Sequence, residues 1–340
     1  MACDNLKNPG YIEFENPPYV SGYAAVGSKM EKEGPLGEKF DYIFDNPIAD
    51  EKSWERAESK LQKNALGIAL KKAEKTPDDI NFVFAGDLLN QCIGSTFGIK
   101  NFSIPFAGVY GACSTMALSM IMASVFISSK IAKNTAAVTS SHFCTAERQY
   151  RFPLEYGGQR PPTAQWTATA SGCVILSDMD LKSKIKIKSA MIGTVKDLGV
   201  SDANNMGAAM APAAYSTISE FLKSTNTDIS NYDKIFTGDL GQVGSDLLYE
   251  IFKRDGIDIS SVHNDCGLLL YDRKNQDVHA GGSGCGCSAS VLCTHIFENI
   301  KNGTYKNVLF CATGALLSAT STKQGETIPS VAHLVRIVGE

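Results

Sequence analysis

An internal repeat is the feature that most restricts how this chain can fold. Apolar residues Trp54, Ala57, Leu61, Ala65 and Ile68 recur at helical spacing, which predicts a helix over residues 51–75 with Asp50 as its N-cap. A polar turn, Thr76-Pro77-Asp78-Asp79, leads into a buried strand, "INFVFA", that stops at Gly86-Asp87-Leu88. The same order returns 152 residues later: a helix over 208–223, a turn, the strand "KIFT", then Gly238-Asp239-Leu240. A second shared unit follows each: a glycine and cysteine corner opening a helix, then a strand. It reads "YGACSTMALSMIMASVFI" to "AAVTSS" in the first half and "GGSGCGCSASVLCTHIF" to "NVLFCATG" in the second, with Cys113 and Cys285 172 residues apart. About 20 extra residues of the later half are assigned to a hairpin within "CGLLLYDRKNQDVHAGG". A pair of units this long is no solenoid, whose periods run roughly 20 to 50 residues. It predicts a duplicated α/β domain with halves at 1–190 and 191–340, mainly parallel sheets and helices on their faces. The helix over 116–127 has almost no polar face, so it belongs between layers, buried on all sides.

Composition limits the partners. A chain of 340 residues with 44% hydrophobic and 20% charged residues has enough apolar surface for a large core. Its net charge of −4 and the lack of a basic block argue against nucleic acid. The start, "MACDNLKNPGYIEFENPPY", has no apolar signal region, and the most apolar stretch falls short of the roughly 20 residues that span a bilayer. Any membrane contact is therefore expected to be peripheral. Ten cysteines, mostly inside apolar segments, read as reduced core thiols in a reducing compartment.

In α/β sheets ligands bind beyond the carboxyl ends of the strands. That rule selects Asp87, Asn90, Cys113, Ser141, His142, Asp239, Cys285, Cys287 and Cys311. His142 either lines the pocket or is a hydrogen-bonded structural histidine. Cys311, before "ATGALL", reads better as a buried strand cysteine. Cys285, Cys287 and Cys293 with His295 lack paired C-x-x-C spacing, so no metal is expected. "GGSGCG" fails as a dinucleotide fingerprint because position 287 is Cys, and no cofactor is expected. The loop "ERQYRFPLEYGGQRPP" could offer Arg148, Arg151 or Arg160 to carboxylates, or could hold Glu147 and Arg151 as a surface pair.

The duplicated layout with a cysteine elbow opening a buried helix resembles the thiolase fold, a five-layer αβαβα architecture. More closely, "GDLLNQ", "YGACST", "TSSHFCTAERQYRFPLEYGGQRP", "AAMAPAA", "GGSGCGCSA" and "ATGALLS" resemble the stage V sporulation protein AD family of spore-forming Firmicutes, over about Tyr11 to Val335. The resemblance implies a sporulation protein that binds dipicolinic acid, the pyridine dicarboxylate stored with calcium in spores. It further implies a homodimer in the cytoplasm, held peripherally at the inner spore membrane beside membrane proteins of the same operon. The candidate ligand set is Asp87, Asn90, Cys113, His142, Arg148, Asp239 and Cys285. Condensing enzymes of similar fold bring histidine, or histidine and asparagine, to the loops matching Gly238-Asp239 and the glycine-rich turn; here those places hold Asp239 and Cys285. Condensation must move a proton and stabilise an oxyanion, and a carboxylate and a thiol substitute poorly for imidazole. Two readings follow: Cys113 walls a binding pocket, or Cys113 is the nucleophile of an acyltransferase.

Overall fold

A computed structural model of the chain describes residues 8–150 and 160–340. Ten strands carry the architecture: β1 Tyr19–Gly27, β2 Phe82–Gly86, β3 Phe106–Gly108, β4 Asn134–Ser141, β5 Ala170–Ser177, β6 Ile185–Ile192, β7 Lys234–Thr237, β8 His263–Asp265, β9 Asn307–Ala315 and β10 Ser330–Gly339. Their order across the sheet is β8-β7-β9-β10-β6-β1-β5-β4-β2-β3. Read outward from the middle, β1-β5-β4-β2-β3 is matched by β6-β10-β9-β7-β8, each label raised by five. The repeat in the sequence is thus a repeat in strand order, and its second copy opens at Ile185. The two sets touch through the single pair Tyr19 and Lys186, so they behave as two sheets.

Within each set the pairing is mixed, not mainly parallel as the alternation of elements predicts. β2 runs parallel to β3 and β4, while β5 is antiparallel to β4 and β1. The second set repeats this pattern. Parallel pairing needs a crossover, usually a helix such as Ile93–Ile99 laid on β2 and β3, and the alternation of elements alone does not tell which helices cross over.

Seven helices matter here: α1 Trp54–Lys72, α2 Ile93–Ile99, α3 Thr115–Ser128, α4 Phe143–Tyr150, α5 Met206–Thr225, α6 Gly241–Arg254 and α7 Cys285–Val291. The last continues through a π-helical turn, Leu292–Ile296, into Phe297–Lys301. α1 and α2 cover the outer face of the first sheet, and α5 and α6 that of the second. α3 and α7 lie between the sheets, which gives the five layers: α3 touches both sheets, while α7 packs on the first and its continuation Phe297–Lys301 reaches β10 and β6 of the second. α3 is buried along its length, with Met116, Ala117, Met120, Ile121 and Ala123 sealed from solvent. No helix among the described residues is long and apolar enough to cross a membrane.

Two local expectations change. α1 is capped by Ser53, whose hydroxyl accepts from the Arg56 N–H at 3.4 Å, and Asp50 instead occupies a left-handed turn at φ 58°. The stretch 266–282 is no hairpin. Cys266–Leu270 forms a short helix that buries Cys266, Gly267 and Leu270. The polar run after it closes a turn on Asp272, whose N–H donates to Gln276 Oε1 at 2.8 Å.

Candidate functional site

The two cysteine corners meet at one place between the sheets. At the first, Ala112 holds φ 50°, a left-handed conformation costing a side chain on the order of 1 kcal/mol. Three hydroxyl contacts hold it: Ser114 Oγ donates to Gly111 O at 2.6 Å, Thr115 Oγ1 donates to Ala112 O at 2.6 Å, and the Gly111 N–H donates to Thr115 Oγ1 at 3.1 Å. The turn sets Cys113, only 5% exposed, above the start of α3. At the second corner Gly284 has φ 100°, and a Cβ there would stand 2.6 Å from Ser141 Oγ, so glycine is required. This corner aims Cys285 away from the cleft: its thiol donates to Ser140 O at 2.9 Å, on β4 of the first half.

Asp239 joins the two corners. Fully buried, its carboxylate accepts from the Gly284 N–H at 2.8 Å, Ser283 Oγ at 3.1 Å and Thr313 Oγ1 at 2.8 Å. The Cys113 thiol turns toward the same carboxylate. Burial, reinforced by the charge of Asp239, pushes that thiol well above its ordinary pKa, while burial also raises Asp239. Two acids this close in a dry site do not both ionise. The single negative charge goes to the stronger acid, which also holds three donors, so Cys113 stays a thiol.

Around Cys113 lies a narrow cleft, open to solvent at its mouth. Its walls include Leu88, Ala146, Met206 and Leu317, with the polar groups of Tyr110, Tyr150, Thr167 and Ser283. The Tyr110 and Tyr150 hydroxyls meet at 3.3 Å, and Tyr150 also donates to Leu88 O. Both tyrosines further border an outer cleft that holds Asn90, Gln149 and Ser318. No histidine and no cationic side chain lines the Cys113 cleft among the described residues.

Cys113, Asp239 and Cys285 therefore come together, and the other candidates stand elsewhere. Asp87 is buried but serves its own loop, accepting from the Leu89 N–H at 2.9 Å, the Ser95 N–H at 2.7 Å and Ser95 Oγ at 2.5 Å. Asn90 is exposed in the outer cleft. His142 is buried away from the cleft: Nε2 meets Pro47 O at 2.7 Å, and Nδ1 accepts from the Cys144 N–H at 3.1 Å. Burial pushes its pKa down to about 4. Arg148 pairs with Glu55 and lies over the Trp54 ring, so it ties α4 to α1. Arg151 lies outside the described residues. Arg160 pairs with Asp277 at 3.2 Å and covers Trp166. Cys311 sits inside β9, which runs on to Ala315, in the apolar core of the second half. Cys293 Sγ points to Cys173 O at 3.7 Å, in a different direction from Cys285. His333 lies beneath Gly111 with Nδ1 accepting from the Gly193 N–H at 3.3 Å, and it is not part of the cleft wall.

Tyr110, Tyr150, Leu88, Ser283 and Thr313 were not singled out from the sequence. Tyr110 and Ser283 lie inside the repeated corner strings, so pairing the corners residue by residue would have found them.

The comparisons fit this geometry. A profile of Stage V sporulation protein AD matches residues 10–338. The chain is 46% identical over 320 residues to the Stage V sporulation protein AD of Bacillus subtilis (strain 168), covering 94% of each. The chain belongs to the stage V sporulation protein AD family. It is a sporulation protein on a thiolase-like fold. Among solved structures, a variant of OleA from Xanthomonas campestris aligns with TM-score 0.61 and 13% identity, over 96% of this chain and 99% of that one. The 3-oxoacyl-[acyl-carrier-protein] synthase III of Aquifex aeolicus VF5 aligns with TM-score 0.56 and 11% identity, over 94% and 99%. At that identity the two share the fold with this family member.

Proposed function

We propose that this family member binds dipicolinic acid in the Cys113 cleft, as its calcium chelate, and passes it toward membrane proteins of sporulation while acting as a homodimer. One observation carries the reading: Cys113 is held as a thiol against the buried Asp239 carboxylate, with no imidazole in the cleft wall among the described residues. A thiol kept protonated and nearly dry cannot attack a thioester at a useful rate. What remains is a narrow apolar slot rimmed by phenol and hydroxyl groups. Such a slot suits a flat aromatic ring whose carboxylate oxygens take a hydrogen bond from Thr167, and from Tyr110 once its hydroxyl turns from Tyr150 to the ligand. A free dianion would enter against the charge of Asp239 with no cation lining the described wall. The chelate is neutral, so its entry avoids that repulsion.

A second reading has one observation in its favour. Cys113 sits at the start of α3 behind a left-handed residue, the arrangement that exposes a nucleophile and lowers its pKa. Burial and Asp239 outweigh the helix terminus here. Calorimetric titration with dipicolinate, with and without equimolar calcium, tests the first reading, and intact mass after incubation with acyl-CoA tests the second. We expect heat from the chelate, weaker heat from the free acid, loss of both in Ala146→Trp, and no mass adduct. An acyl adduct on Cys113 without dipicolinate binding would reverse the conclusion.

A further inference from the structure

The edge strand β8, "HND", carries ionisable side chains at alternate positions, so His263 and Asp265 fall on one face. Parallel register sets Ile235 of β7 opposite His263 and Thr237 opposite Asp265. Asp265 and Thr237 are sealed from solvent, and His263 is 4% exposed. Asp265 holds the loop of Asp239: its carboxylate accepts from the Leu240 N–H at 2.9 Å and the Gly241 N–H at 3.0 Å, the two peptide groups that follow Asp239.

A chain of hydrogen bonds leads from there to the outer layer. Thr237 Oγ1 stands 2.6 Å from Asp265 Oδ2 and 2.8 Å from His263 Nε2, and His263 Nδ1 stands 2.9 Å from the Tyr249 hydroxyl. Proton counting fixes the direction. An ionised carboxylate only accepts, so Thr237 donates its one hydrogen to Asp265, accepts from His263 Nε2–H, and leaves Nδ1 to accept from Tyr249. Tyr249 sits half-buried on α6, outside the cleft wall, with Asp246 and Asp258 near it. Burial keeps His263 neutral by pushing it down to about 4, and Lys234 acts in the same sense. Burial also lifts Asp265 to about 7, a rise that Thr237 opposes and Asp239 reinforces. The other titratable neighbours of Asp265 are Cys266 and Cys287, both kept as thiols by burial.

The first half supplies the control. Its equivalent register pairs, Val83 with Phe106 and Ala85 with Gly108, carry no polar side chain. The fold therefore needs none of these groups, and their presence in the second half alone calls for another account.

We propose that Tyr249, His263 and Thr237 relay protons between solvent and Asp265, so that the carboxylates behind the Cys113 cleft change charge by a route separate from its mouth. In one passage a proton from water joins the Tyr249 oxygen while the hydrogen already there moves to His263 Nδ1. The Nε2 hydrogen then moves to Thr237 Oγ1, and the Thr237 hydrogen to Asp265 Oδ2. Asp265 ends neutral, His263 ends as the other neutral tautomer, and every hydrogen bond of the chain is kept in the reverse sense. A ligand seated at Cys113 covers the mouth, and an acidic one meets the charge of Asp239; the back route lets the carboxylates take up a proton at that moment. The relay goes beyond the dipicolinate reading and does not depend on which acid occupies the cleft.

A pH jump from about 8 to about 6 on the full chain without ligand, followed by the infrared band of a protonated carboxylic acid, tests the relay. The part of the band lost in Asp265→Asn belongs to Asp265. His263→Gln can still donate to Thr237 and accept from Tyr249, but it cannot pass a proton from one end of its amide to the other. It should melt as a folded protein and protonate Asp265 about tenfold more slowly than the parent. Thr237→Val should slow the step equally, and Ala146→Trp, which fills the cleft, should leave the rate unchanged. A rate cut by Ala146→Trp and untouched by His263→Gln would send the protons through the mouth and overturn the proposal. The parent rate in both relay variants, or a band that Asp265→Asn does not alter, overturns it equally.

Discussion

Asp87 and Asp239 follow equivalent strands in the two halves, close the same Gly-Asp-Leu string and are both fully buried. Their neighbours differ. Asp87 turns inward on its own loop and holds the Leu89 and Ser95 N–H groups, so it caps α2. Asp239 reaches outward to Thr313 on β9 and to Ser283 and Gly284 before α7. The cysteine corners diverge in the same manner: Cys113 faces the cleft, while Cys285 is spent on Ser140 O. One unit duplicated in a chain can thus keep its backbone and lose its symmetry of purpose, because a carboxylate or a thiol acts on whatever donors the facing half supplies.

The sharpest way to break this contrast is to remove the two carboxylates separately. Asp239→Ala strands three buried donors drawn from different elements and should cost about 4 kcal/mol in denaturant unfolding. Asp87→Ala strands donors within one loop, where a local rearrangement can re-pair them, and about 2 kcal/mol is expected. Hydrogen exchange should then place the Asp87 damage in residues 88–99 and spread that of Asp239 over both sheets. Equal losses, or a larger one at Asp87, would mean the second carboxylate is no keystone.

A smaller effect sharpens the chemistry. Asp239→Asn removes the negative charge beside Cys113 while keeping a similar shape, so the thiol should ionise more readily. Iodoacetamide alkylation of Cys113 near pH 8 should rise about tenfold, which is roughly one pKa unit. Asp87→Asn should leave the rate unchanged. A faster rate in both variants would show that Cys113 responds to general loosening and not to Asp239.

Much of this was legible in the sequence. The helix–strand–GDL and corner–helix–strand units stand out because apolar periodicity and glycine corners are local signals, and strand KIFT is observed at its expected bounds. The central burial of α3 follows from its lack of a polar face. Register and facing partners are not local. Nothing in "TSSH" says that His142 will spend both nitrogens on Pro47 and Cys144, or that Arg148 will turn to Glu55. The antiparallel strands were hidden for a similar reason, since apolar runs do not record direction.

The histidines yield a pH contrast that spans both halves. His142 in the first half, and His263 and His333 in the second, are each pushed down to about 4 by burial. Pro47 O can only accept, so His142 Nε2 carries the proton and Nδ1 accepts from the Cys144 N–H; the folded ring is neutral. The unfolded imidazoles bind protons near 6.5, before the folded ones do, so their contribution to stability is full above that value and falls as pH drops toward 4. Buried Glu58, pushed up to about 8, and Asp265, pushed up to about 7, act in the opposite sense, so the histidine contribution is read as a difference between two proteins. The melting temperature of the parent relative to His142→Gln, whose amide can donate to Pro47 and accept from Cys144, should fall from pH 7.5 to 5.5 to 4.5. A difference that holds level to pH 4.5 would contradict neutral burial.

The smallest expected effect compares the helices that open each repeat. α1 starts at Ser53, whose hydroxyl accepts from the Arg56 N–H, and α5 starts at Asn205, whose side chain accepts from the Ala208 N–H; both distances are 3.4 Å. Each contact satisfies one of the orphan donors of a helix start, and each should lose about 1 kcal/mol on replacement by alanine. Asp50→Ala should cost far less, because Asp50 precedes the helix in a turn and caps nothing. If Asp50→Ala proved the costlier of the α1 pair, the repeats would start their helices by different means, and the asymmetry seen at Asp87 and Asp239 would extend to the outer layers. Matched losses at Ser53 and Asn205 would confine that asymmetry to the interior, where the two halves face each other.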